Sequence, residues 1–151
     1  MDFNEALNQK ASDIEKPPLM PQGTYVWEVT KVPAITTSKS GEWDIAEFLV
    51  KAIQAEDDVD EDDLAEFGAV TQARNKVSFM FSKNEDNKTD NENMLYRLKS
   101  FLTETLGIEE GDLTLKELMA DAPGKTFLAQ AVWRPVDDDT FVDVKNWAAL
   151  E

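Results

Sequence analysis

Carboxylates are the most abundant ionisable groups in this chain, and two clusters are dense enough to invite a chemical reading. The segment AEDDVDEDDLAEFG, 55–68, holds eight acids, and Asp137, Asp138 and Asp139 stand in a row. Calcium loops of the EF-hand type need a glycine at loop position 6 and a glutamate at position 12 between two helices. Frames opened at Asp57 or Asp58 supply no such glycine. The segment therefore reads as a solvated acidic loop with, at most, adventitious Mg²⁺ or Ca²⁺ binding. Paired catalytic carboxylates sit on rigid elements whose environments split their pKa values. Both clusters fall in expected loops, and 137–139 reads as a hairpin tip.

Other catalytic chemistry has little to work with. The chain has no His and no Cys, which removes the commonest general base, the commonest transition-metal ligand, thiolate nucleophiles and disulfides. The patterns GxGxxG, GxxxxGK[ST] and GxSxG are absent; Gly124-Lys125-Thr126 ends like a phosphate loop, but Met119 stands where the first glycine belongs. An enzyme is not expected, nor a cofactor or a bound metal.

The aromatic and basic residues carry more information. Tyr25, Trp27 and Lys31 alternate along one apolar stretch, Trp43 opens the next, and Arg74 and Lys76 open a third. Trp133 and Arg134 close a fourth, Lys145 and Trp147 lie in a fifth, and Lys39 stands in the loop before Trp43. Single-strand binders stack bases on aromatic rings and hold phosphates with scattered Lys and Arg. The pattern predicts stacking on Tyr25, Trp27 and Trp43 and phosphate contacts from Lys39, Arg74 and Lys76. Most of these rings also suit a core, although Trp43, Trp133 and Trp147 fall near strand ends.

These residues need a sheet to hold them. Residues 24–32, 42–53, 74–82, 125–134 and 140–147 have the β-branched, aromatic and alternating character of strands. Residues 34–41 read as a polar loop, and 1–16 as a short helix or frayed arm ended by Pro17, Pro18 and Pro21. Asp60 can cap one helical turn through Leu64 and Phe67, with Gly68 ending it. Met94, Leu95, Leu98, Phe101, Leu102 and Leu106 form an apolar stripe over 91–106, closed by Gly107. Thr114 and Glu117 form a capping box for 115–120. The order strand, strand, strand, helix, strand, strand predicts an α+β chain, a five-stranded Greek-key barrel with the helix between strands three and four: the OB-fold. The helix would plug the open end of the barrel.

At 151 residues the chain suits one domain, an arm at 1–17 and a barrel at 18–151 with the acidic insert at 55–68. With 42% hydrophobic and 30% charged residues it can bury a core. No apolar run approaches the roughly 20 residues of a membrane span, and the N-terminus lacks a secretion signal; a cytoplasmic location is expected. The net charge of −16 repels anions at long range. Local charge in a groove therefore matters more than the sum.

Several phrases, in order, resemble a family of small phage and prophage proteins once known only by an unknown-function label. PLMPQGTYVWEV, 18–29, is similar to their opening strand, and TTSKSGEWDIAEFLV, 36–50, to their lysine-serine-glycine hairpin. YRLKSFLTETLGI, 96–108, and LKELMADAPGKTFLAQAV, 115–132, resemble their helix and their passage into the fourth strand. The acidic insert and the scarcity of Lys and Arg depart from that pattern. The resemblance implies an OB-fold single-stranded DNA-binding protein, sequence-nonspecific, that protects single strands in phage replication and recombination. It would act in the bacterial host, alongside replication or recombination proteins and as a possible homo-oligomer. The rivals are an acidic protein-interaction module that mimics DNA, and a virion or capsid-decorating protein.

Overall fold

The computed structural model describes residues 2–150; Met1 of the expected arm and Glu151 of the expected domain lie outside the described residues. Among the described residues six strands form one antiparallel sheet: β1 Gly23–Val29, β2 Ala34–Thr37, β3 Trp43–Ala55, β4 Arg74–Ser82, β5 Thr126–Val136 and β6 Asp139–Ala149. Four α-helices accompany them: α1 Phe3–Leu7, α2 Glu61–Phe67, α3 Lys88–Ser100 and α4 Leu115–Ala120.

The long strand β3 is the spine. One edge pairs with β4 from Trp43 to Lys51. The other is shared, by β2 opposite Asp44–Glu47 and by β1 opposite Val50–Ala55. Buried Pro33 sits in the break between β1 and β2, where it withholds a backbone donor from any ladder. The order runs β2-β3-β1-β5-β6 with β4 on the far side of β3.

The last two edges, β4 and β6, face each other without a ladder. The Asn75 side chain donates to the Val142 carbonyl at 2.7 Å, and the Phe79 and Trp147 rings lie 5.9 Å apart. The contacts rise together in number, so the strands run the same way along this seam. The sheet curls but is not closed, and it carries six strands where five were expected. The sixth strand comes from 34–37, expected as loop. All four of its residues are exposed, so no inside-outside alternation marks them. Pro135, just beyond the expected strand 125–134, pairs with Thr140 inside β5. Proline is tolerated there because β1 covers β5 only as far as Ala131.

The apolar stripe predicted over 91–106 packs on the inner face of the sheet, except for Leu95, which is exposed. The helix begins earlier, at Lys88, and after Ser100 widens into a π turn, Phe101–Thr105. There the Leu106 N–H reaches the Phe101 carbonyl at 2.9 Å, five residues back. The extra residue keeps Phe101, Leu102, Thr105 and Leu106 all buried. Phe101 is the hub: its ring lies 5.1 Å from Phe48, 5.3 Å from Phe127, 5.4 Å from Trp147 and 5.5 Å from Phe79. Truncating such a ring costs about 3–5 kcal/mol.

The capping elements agree with the sequence reading. Thr114 and Glu117 make the reciprocal capping box of α4. The Asp60 carboxylate accepts from the Asp63 N–H at the start of α2, and Gly68, with φ of 101°, ends it.

Candidate nucleic-acid interface

Alternation along β3 and β4 sorts their side chains onto two faces. Ala46, Phe48 and Val50 turn inward with Val77 and Phe79. Ile45, Glu47, Leu49 and Lys51 turn outward and stand opposite Met80, Ser78, Lys76 and Arg74 respectively. The outer face thus ends in a basic corner. A shallow groove of about 440 Å³ lies there, lined by Thr30, Lys31, Leu49, Lys51, Arg74 and Asn75. Lys76 flanks it on β4.

Two carboxylates enter this corner. Glu28 lies 3.6 Å from Lys51 and Glu47 lies 3.7 Å from Lys76. Solvent-facing pairs of this kind contribute about 0–1 kcal/mol and leave the ammonium groups available to a competing anion. Arg74 donates to the Thr71 carbonyl, which sets its guanidinium over the corner. At the other end of the same strands, half-buried Trp43 stands opposite Ser82 and lines a second hollow of about 360 Å³ with Lys83, Asn84 and Asn87. From Trp43 to Lys51 the face is on the order of 27 Å long.

Four of the sequence-predicted residues therefore share one surface: Lys31, Trp43, Arg74 and Lys76. Lys31 reaches it from the link after β1, since that strand ends at Val29. Lys39 is exposed at the tip of the β2–β3 hairpin, beyond the groove.

Tyr25 and Trp27 correct the expected stacking platform, because both rings are fully buried. β1 has partners on both edges, and its inner face is core. Each ring carries its polar handle inward: the Tyr25 hydroxyl donates to the Pro21 carbonyl at 2.7 Å, and Trp27 Nε1 donates to the Ala129 carbonyl at 3.1 Å. Burial first, then the nearby Asp58 carboxylate, push the Tyr25 phenol up to about 12.

Trp133 and Arg134 also lie elsewhere. Trp133 Nε1 donates to the Met20 carbonyl, and the ring lines a hollow with Pro18, Leu19, Pro21, Asp63 and Glu66, beside acids unsuited to phosphate. Arg134 is engaged by Asp143 at 2.7 Å, which holds the guanidinium protonated above its ordinary range.

The acidic insert is more ordered than a solvated loop. Asp58 accepts from both the N–H and the hydroxyl of Thr24, at 2.9 and 2.7 Å, and these bonds hold its carboxyl below the ordinary range. Val59 is buried against Gly23, where a Cβ would meet the valine at 2.6 Å. Among the described residues no cluster of three or more acids is arranged to hold a metal ion.

Lys51 was missed in the sequence reading, although it sits on the outward register of a predicted strand. Tyr96 and Arg97 were missed too. Their signal was available: an aromatic beside a cation, off the apolar stripe of an amphipathic helix. Among the described residues no helix is long and apolar enough to cross a membrane. No protein-family model matches the chain, and no curated protein is similar enough to count as a relative.

Proposed function

We propose that this chain is a single-stranded DNA-binding protein of phage type, an OB-fold that covers single strands during replication or recombination in the host cytoplasm and catalyses no reaction. The fold reading is supported by strand order. With β1 and β2 taken as one bent strand broken at Pro33, the path is three-two-one-four-five, a helix lies between three and four, and three faces five across the seam. That is the path of an OB-fold, whose second and third strands present the binding face.

The observation that carries the functional reading is the basic corner. In a chain with twice as many acids as bases, Lys31, Lys51, Arg74 and Lys76 converge on the outer face of β3 and β4, continuous with Leu49 and, farther along, Met80 and Trp43. Cations supply phosphate contacts, and the apolar strip with Trp43 supplies sequence-tolerant stacking. Repulsion from the other surfaces keeps the affinity modest.

The test is a titration of labelled oligo-dT at low salt, followed by tryptophan fluorescence. The expected result is saturable binding with partial quenching. Undetectable binding without quenching discards the reading and leaves the acidic interaction module or virion component.

A further inference from the structure

Another hollow lies on the other side of the seam, between α3 and β6. It measures about 530 Å³ and is lined by Tyr96, Arg97, Ser100, Lys145, Asn146 and Trp147, with buried Val144. Two aromatics and two cations meet there, and no carboxylate is among the lining residues.

The backbone is shaped to make this cleft. The β5–β6 register slips between Leu128 and Gln130, and Asn146 adopts φ of 55°, a left-handed conformation that a non-glycine residue takes up rarely. The Asn146 side chain donates to Gln130 at 2.8 Å and fixes the bulge. The bulge turns Trp147 onto Phe79 and Phe101 and leaves it half-buried as a floor. Arg97 lies 5.9 Å from the centre of that ring, a cation–π arrangement that holds the guanidinium at the mouth. Tyr96 beside it is 66% exposed, with no ring contact to the core. An aromatic so placed lies outside the core cluster.

We infer that this cleft is a nucleotide subsite of the single-strand path: one base stacks on Tyr96, and its flanking phosphate meets Arg97 and Lys145. The inference rests on the proposed single-strand binding. It extends that binding from the outer face across the open seam. Asn75 joins the two places, since it lines the basic groove and bonds Val142, two residues from Val144 in the lining of the cleft. That step is about 7 Å along the strand. A pocket of this size accommodates a nucleotide.

The experiment compares wild type, Tyr96→Ala and Tyr96→Phe in binding a long oligo-dT of about 20 nucleotides and dTMP. Tyr96 is exposed, so both variants fold. The expected result is a loss of about fivefold or more for Tyr96→Ala, the equivalent of one stacked base, with recovery in Tyr96→Phe and only weak dTMP binding. Oligo-dT binding by wild type and Tyr96→Ala with equal affinity overturns the subsite and leaves the basic groove standing. Binding of dTMP as tight as that of the oligonucleotide assigns the cleft to free nucleotides and overturns it as well. No oligonucleotide binding by wild type overturns the subsite together with the reading it rests on.

Discussion

The basic corner of β3 and β4 and the acidic segment around α2 hold opposite charges and use them in opposite ways. In the acidic segment key carboxylates face inward to backbone donors. Asp58 ties the segment to Thr24, Asp60 caps α2, and Glu61, Asp62 and Asp63 lie in the first turn, where the helix dipole favours negative charge. In the corner, by contrast, Lys31 and Lys76 point to solvent, and the two carboxylates nearby make only long surface contacts. Charge that satisfies the fold's own backbone marks a structural region. Charge left open to solvent is what the proposed binding surface requires. A net charge of −16 conceals this division.

The largest expected effect comes from reversing the corner. Lys31→Glu combined with Lys76→Glu should weaken oligo-dT binding tenfold or more. Unfolding free energy should move by about 0.5 kcal/mol or less, as for exposed sites generally, as denaturant titration of the same variant will show. A stability loss comparable to the binding loss would place these side chains with the structural acids instead.

The converse variant is Asp58→Ala. It removes two charge-assisted hydrogen bonds at an exposed site and should cost about 1 kcal/mol of stability with oligonucleotide affinity unchanged. Chemical denaturation and the same binding titration check the two halves. Acid should reproduce the effect. The Asp58 carboxyl is held below its ordinary value of 3.8 in the folded state, so its contribution is full above that value and fades as pH falls through the lower folded one. The protection of the Thr24 amide against hydrogen exchange, relative to its intrinsic rate at each pH, should fall over that interval in wild type and not in Asp58→Asn. The smallest effect is expected from Asp57→Asn, a neighbour in the same acidic run for which neither a cap nor a salt bridge is seen among the described residues. It should shift stability by about 0.5 kcal/mol or less.

Much of this fold was legible in the sequence where local chemistry is strong. The alternation of Val77, Phe79 and Phe81 bounded β4, and Thr114 with Glu117 marked the start of α4. β2 was not legible because Ala-Ile-Thr-Thr is short, exposed throughout and set between Pro33 and a serine-rich turn. The site was half legible. Alternation shows that Tyr25 and Trp27 share a face, but which face is core depends on β3 and β5 lying on either side of β1. Lys31, Arg74 and Lys76 were found by type, whereas their meeting with Lys51 depends on long-range register. The bulge at Asn146 has no local signal, because asparagine merely tolerates a left-handed backbone.

The most direct measurement of the central claim is the salt dependence of oligo-dT affinity in wild type and in the Lys31→Glu, Lys76→Glu variant. Single strands release about 0.7 counterions per phosphate neutralised, so four corner cations predict a log–log slope near −3, shallower by about 1.4 in the variant. A slope near zero in wild type, or one unchanged by the double reversal, would contradict the assignment of this corner as the phosphate-binding surface.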